Sequence, residues 1–307
     1  MAPKVFFIGL GNIGKGMCKN IVAKAQLGGP LMLYNRTTQR AQELSAQLGD
    51  GKTEVVTSIP DGVAKADVVF LSLTNDQVVL STLDTILQGD VKGKLIVDTS
   101  TIHPDSSEKA GKKVVAAGAE FVAAPIFGAP PMAESGSLVG VLAGPKSSVG
   151  RAKPFFKGVT SRAEIDMSGE PWGKSTLLKI TGNTFILNMV EQIAEGHVFA
   201  EKSGLGTNYL HQFIESLFPG VYSAYSTRML TGDYWKRDPP LFGVDLARKD
   251  GGHALKLAEA AGVKLRNVEA AETHLAQVKE HAGEKGDIAG IYGAIRKESG
   301  LKFENDV

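Results

Sequence analysis

The chain begins its regular pattern with Val5-Phe-Phe-Ile-Gly-Leu-Gly-Asn-Ile-Gly14, an apolar run that meets glycines at positions 9, 11 and 14 without a gap. This stretch restricts the fold more than any other. A strand must end there in a tight turn, and residues 15–25, with Met17, Cys18, Ile21 and Val22 recurring at helical spacing, continue as a helix. In that geometry Gly9 permits the turn, Gly11 lets a pyrophosphate approach the backbone, and Gly14 lets helix and strand pack closely. Free amides at the helix start, including those of Asn12 and Ile13, then face phosphate charge. Glycines at this spacing also occur in turns that hold no ligand, which is the competing reading; the strand before and the helix after favour a dinucleotide.

The first half repeats the theme. Short runs rich in Val, Ile and Phe alternate with helix-like stretches, which predicts strands at residues 5–10, 31–35, 68–73, 95–98, 121–124, 139–143 and 163–166, buried on both faces in a parallel sheet. After Ser168-Gly-Glu-Pro171 the texture becomes helical almost to the end. Residues 172–203 carry Leu177, Leu178, Ile180, Phe185, Ile186, Leu187, Met189, Val190 and Ile193, apolar on nearly every side, and predict a long buried helix ended by Gly204 and Gly206. Residues 221–240 resist assignment. The expected architecture is α/β: an N-terminal Rossmann-type doubly wound sheet, residues 1–167, followed by an all-α C-terminal domain with a long central helix, residues 168–307.

Composition excludes several classes. With 34 basic against 33 acidic residues, nothing calls for nucleic acid or an anionic membrane, and the Lys109, Lys112 and Lys113 cluster beside Glu108 reads as a solvated helix face. No apolar run approaches the roughly 20 residues of a membrane span, and the first apolar run lacks the pattern of a secretory signal. Cys18 is the only cysteine, so a reducing compartment is expected and the protein is taken as cytoplasmic. The histidines show no metal-ligand spacing, and no metal is expected.

The second strand addresses the choice of dinucleotide. An acid at its end would bond the ribose hydroxyls of the non-phosphorylated cofactor. Here the stretch is Leu31-Met-Leu-Tyr-Asn-Arg-Thr-Thr38, so Asn35 takes that place and Arg36 and Thr37 follow. A guanidinium beside amide and hydroxyl donors grips a 2′-phosphate, which predicts NADP(H). Arg36 as an ordinary surface arginine is the alternative. Further along, Lys179 sits among apolar neighbours on the long helix, where desolvation would ease its titration, and Asn183 lies one turn on, on the same face. A lysine that snorkels to the surface fits the same spacing.

Four segments, taken with the glycine turn, resemble the β-hydroxyacid dehydrogenases, the group of 3-hydroxyisobutyrate dehydrogenase, tartronate semialdehyde reductase and 6-phosphogluconate dehydrogenase. They are Asp98-Thr-Ser-Thr-Ile-His-Pro104, the stretch from Ala124 through Pro125, Ile126, Phe127, Gly128 and Ala129 to Leu138, Gly173-Lys-Ser-Thr-Leu-Leu-Lys-Ile-Thr-Gly-Asn183, and residues 242–250 ending in Lys-Asp. The resemblance implies hydride transfer between the nicotinamide and a β-hydroxy acid or its semialdehyde or keto acid, with Lys179 as general acid and base and Asn183 and Ser100 bonding the substrate. It implies that Leu73, Thr74, Val78, Thr101, Phe242 and Lys249 border the cofactor, and that Phe127, Gly128 and Ala129 border a small carboxylic acid or aldehyde. Phe242 and Lys249 as packing or surface residues remain open, and His103 reads as a loop histidine rather than the acid. A homodimer is expected from the same resemblance.

The chain departs from the family pattern in places. Phe127 replaces a hydroxyl donor and Ala129 a glycine; Ser175 replaces a glycine, and Gly182 replaces the first of paired asparagines. Phe127 puts the usual small hydroxy acid in question. Two other readings stand beside the dehydrogenase: an imine reductase or reductive aminase of the same fold, and a catalytically silent dinucleotide-binding module. Retention of Lys179 counts against both.

Overall fold

The computed structural model describes all 307 residues and separates into two compact units, Met1–Lys179 and Ile180–Val307. In the first, the chain alternates through β1 (Val5–Ile8), α1 (Asn12–Lys24), β2 (Leu31–Tyr34), α2 (Thr38–Leu48), β3 (Thr53–Val55), α3 (Ile59–Lys65), β4 (Val68–Leu71), α4 (Asp76–Ile86), β5 (Leu95–Asp98), α5 (Pro104–Ala116) and β6 (Glu120–Ala123). There follow β7 (Ile126–Phe127), α6 (Pro130–Ser135), β8 (Leu138–Gly144), α7 (Lys146–Ala152) and β9 (Ser161–Ser168). One sheet runs in the order β3-β2-β1-β4-β5-β6-β8-β7, with β9 on β8.

Period-two alternation explains the layers. Val5, Phe7, Leu31, Leu33, Val68, Phe70, Leu95 and Val97 face one side, where Met17, Cys18 and Ile21 of α1 cover them. Phe6, Ile8, Met32, Val69, Leu71 and Ile96 face the other, under Val79 and Leu83 of α4 and Ala110 and Val114 of α5. Strands β1 to β6 are parallel, whereas β6 and β7 both meet β8 antiparallel.

Three expectations are corrected here. The sequence pattern omits β3 and β7: the first is three half-buried residues, and the second is two residues made a strand only by pairing Ile126 with Gly140 and Phe127 with Val139. Strand β9 is not buried on both faces, because it lies at the sheet edge with Arg162, Ala163, Ile165 and Asp166 exposed. Several strands end a residue or two early, since Gly9, Ser72 and Leu73 already belong to the loops beyond the sheet.

The helix α8 (Trp172–Lys202) runs on from Ile180 as the first element of the second unit. It ends where predicted, before Gly204 and Gly206, both at positive φ. It is not buried all round, however: Leu177 is 42%, Phe185 73% and Phe199 71% exposed. Then come α9 (Thr207–Leu217), α10 (Val221–Leu230), α11 (Asp233–Lys236), α12 (Val244–Ala260), α13 (Arg266–Ala282) and α14 (Ile291–Glu298). Residues 221–240, unassignable from pattern, hold the two helices α10 and α11. The core of this unit packs Leu187, Val190, Ile193 and Val198 of α8 against Val268, Leu275 and Val278 of α13 and Ile291, Tyr292 and Ile295 of α14. No helix is long and apolar enough to cross a membrane.

Candidate active site

Each glycine of the opening turn answers a different physical demand. Gly9 sits at φ +102, and a Cβ there would collide with the Ser72 carbonyl oxygen; a Cβ at Gly14 would collide with the carbonyl of Gly9. Gly11 is the informative one. A Cβ on it would meet no protein atom within 4 Å. Nothing in the fold demands a glycine there, whereas a pyrophosphate resting on the start of α1 does. That helix begins with Gly11 at the N-cap, no side-chain cap and no acid in its first turn, so its amide end stays positive. The residues therefore fit a dinucleotide phosphate.

The neighbouring loops converge on this turn at the carboxyl end of the sheet. Gly9 N donates to Tyr34 O at 3.0 Å, and Ser72 N donates to Ile8 O at 2.9 Å. Asn35 is used inside the loop: its Oδ1 accepts from Leu10 N at 3.0 Å and its Nδ2 donates to Thr37 O at 3.1 Å. Its carboxamide thus shapes the corner, leaving Arg36 and Thr37 exposed beyond it. Leu73 N donates to Ser100 Oγ at 2.9 Å, and Ser100 N donates to Asp98 Oδ1 at 3.0 Å, so the loops after β4 and β5 are stitched together by the serine. As an acceptor in that bond, the hydroxyl keeps a proton to give. Thr74 and Val78 flank the start of α4, which Asn75 caps through Val78 N at 3.0 Å; Thr101 follows Ser100 directly. His103 is a helix cap, its Nδ1 accepting from Asp105 N at 3.2 Å, in keeping with the loop reading.

Lys179 closes the first unit. It is buried, 9% exposed, and its Nζ stands 4.5 Å from the centroid of the Phe127 ring. The π face attracts the ammonium. Gly128 follows at φ +139, and Ala129 precedes α6, so both line the turn immediately after the ring.

In the second unit, Asn183 is buried and its Nδ2 donates to Asp250 Oδ2 at 2.6 Å. Lys249 Nζ lies 3.3 Å from the other oxygen of Asp250. Phe242 is placed by its backbone, whose N donates to Asp287 Oδ2 at 3.1 Å, while Arg228 holds the other oxygen of Asp287 at 2.6 Å. Sequence reasoning assigned no role to Asp250 or Asp287. Asp250 had a signal, adjacency to Lys249; Asp287 had none.

The chain is similar to known proteins along nearly its whole length. Residues 4–169 match the family described as the NAD binding domain of 6-phosphogluconate dehydrogenase, and residues 173–295 that described as the NAD-binding of NADP-dependent 3-hydroxyisobutyrate dehydrogenase. The NADH-dependent oxidoreductase ucdB of Aspergillus ustus is 37% identical over 292 residues, covering 95% of this chain and 98% of that one. Mycobacterium tuberculosis 3-hydroxyisobutyrate dehydrogenase, solved with L-serine, shares the fold at TM-score 0.80 with 24% identity over 96% of this chain and 100% of its own. A Streptomyces aurantiacus imine reductase shares it at TM-score 0.62 with 18% identity, covering 96% and 99%. Two adjoining family matches and 37% identity along nearly the full length of a relative make this chain a member of the β-hydroxyacid dehydrogenase family, an NAD(P)-dependent oxidoreductase of the 3-hydroxyisobutyrate dehydrogenase type.

Proposed function

We propose that the protein is an NADPH-dependent reductase and dehydrogenase that interconverts a β-hydroxy acid and its semialdehyde or keto acid, with Lys179 carrying the proton. The observation that supports this reading best is the buried amine of Lys179, held in the same unit as the dinucleotide turn. When bound, the nicotinamide nucleotide supplies or accepts the hydride. Gly9, Gly11, Asn12, Ile13 and Gly14 would hold its pyrophosphate, and Arg36 with Thr37 its 2′-phosphate, at the corner that Asn35 shapes. Lys179 gives a proton to the carbonyl oxygen in reduction and takes it from the hydroxyl in oxidation. Ser100 donates its hydroxyl proton to a substrate oxygen, the Gly128 and Ala129 amides face a carboxylate, and Asn183, turned by Asp250, orients the substrate.

In this reading residues 1–167 are the cofactor-binding domain and residues 168–307 the substrate and dimerisation domain of a cytoplasmic homodimer; the exposed Phe185, Phe199, Tyr209 and Phe213 support the dimer. The relative from A. ustus carries NADH in its name. Arg36, and the absence of an acid at position 35, support NADPH here. Imine reduction is the second reading, favoured by the fold shared with the S. aurantiacus enzyme; Lys179 weighs against it.

The deciding experiment follows NADPH and NADH oxidation with succinic semialdehyde, methylmalonate semialdehyde, glyoxylate, bulkier 3-oxo acids and an imine, for wild type and Lys179→Met. The expected result is turnover of a semialdehyde or oxo acid, with kcat reduced on the order of 10²–10⁴-fold in the variant. Turnover of imines alone, or a variant as fast as wild type, rejects the assignment.

A further inference from the structure

We infer that Phe127 is a positioning residue for Lys179: the face of its ring seats the ammonium and keeps Nζ at one place in the site. The inference rests on the proposed role of Lys179 as proton carrier. Its basis is the 4.5 Å approach of Nζ to the ring centroid, together with the way both partners are anchored.

The ring is carried by β7, whose Ile126 and Phe127 pair with Gly140 and Val139, and Val141 N donates to Pro125 O at 2.9 Å just before them. Gly128, at φ +139, a backbone conformation that favours glycine, follows directly behind the ring and lies against Leu138 and Met132. The amine is carried by the first turns of α8, which are tied to the same sheet and to α5. Trp172 Nε1 donates to Phe121 O at 2.9 Å and Ser175 Oγ to Ala123 O at 3.2 Å, both on β6, and Gly173 N donates to Glu108 Oε1 of α5 at 2.7 Å. Ser175 and Lys179 are four residues apart and share a helix face. That face is bonded to β6 at one turn and meets β7 at the next. The contact is therefore registered by backbone, with only the lysine stem left to settle.

The choice of a ring has chemical sense. A carboxylate at this position would also hold an ammonium, but it accepts a proton and would compete with the substrate oxygen for it. A phenyl face attracts the charge and takes no proton. It fixes the donor without diverting what it donates.

The test uses Phe127→Leu, which keeps the apolar bulk and removes the π face, Phe127→Tyr, which keeps the ring, Lys179→Met, and the Leu/Met double variant. Each is checked for wild-type melting behaviour and for its NADPH dissociation constant by fluorescence. F127L should lower kcat roughly three- to thirtyfold, the span such a contact commands between exposed and desolvated sites, while NADPH affinity changes less than about twofold. F127Y should recover most of that loss, and F127L should cost nothing further in the Lys179→Met background.

A readout apart from turnover is the ¹³C–¹H spectrum of the lysine ε-methylenes. One resonance should lie upfield from ring shielding, vanish in Lys179→Met and return to the ordinary lysine range in F127L. If wild type shows no such resonance, or F127L leaves it in place, the seat does not exist. An F127L enzyme as fast as wild type, beside a slow Lys179→Met, overturns the positioning role alone. A fast Lys179→Met removes the functional reading, and with it any part for the ring in turnover.

Discussion

Replacing Glu191 and His274 together by glutamine removes a charge pair from the core of the helical unit and should change how its stability responds to pH. His274, on α13, is buried; its Nδ1 lies 2.6 Å from Glu191 on α8 and its Nε2 3.2 Å from Glu298 on α14. One imidazolium thus ties three helices. The bond to Glu191, opposed by burial, raises its pKa from the ordinary 6.5 to about 9. Because the folded chain holds this proton more tightly than the unfolded one, the stabilisation is complete below pH 6.5 and is lost as pH rises through about 9. At 1.36 kcal/mol for each pH unit between the two values, the whole effect is roughly 3 kcal/mol. Glu298 is half exposed, so solvent screens its part and about 2 kcal/mol is the realistic size. Both residues are changed because losing the imidazole alone would leave Glu191 buried and unpaired. Urea unfolding followed by circular dichroism at pH 6.5 and 9.5 measures the difference. Wild type should exceed the double variant by more at pH 6.5 than at 9.5, by on the order of 2 kcal/mol. An advantage that is flat or grows with pH refutes the reasoning.

Two further predictions concern the cofactor end of the sheet. Gly9→Ala and Gly11→Ala should fail differently: the first is strained and collides with Ser72, costing about 2–3 kcal/mol in unfolding experiments, whereas the second leaves stability within about 0.5 kcal/mol and still weakens NADPH binding at least tenfold by fluorescence titration. Equal stability losses would mean that Gly11 serves the fold. Arg36→Ala should lower the NADPH to NADH preference in kcat/KM by roughly ten- to a hundredfold, the size of a lost charge-assisted contact; an unchanged ratio sinks the 2′-phosphate assignment.

The order strand, glycine turn, helix was legible because every part of it is local: apolar β-branched and aromatic residues, three glycines and a helical repeat lie within 25 residues. The second unit was legible only as helical. Its α8 carries apolar side chains at almost every angle, so periodicity could not say that Phe185 and Phe199 face outward. Strand β7 had no local signature, since two residues become a strand only when β8 lies alongside.

By itself the sequence determined the dinucleotide turn, the class of the fold and the place of Lys179 one turn before Asn183 on a single helix, which follow from spacing along the chain, and the family, which its motifs carried by resemblance. Tertiary structure alone decided where those side chains are aimed. It brought Phe127 beneath the amine, turned Asn183 with Asp250 and tied Ser100 to Leu73, joining residues 27 to 67 positions apart in sequence. The reason is physical: periodicity fixes which face of an element a residue occupies, whereas what that face meets depends on how sheet and helices pack.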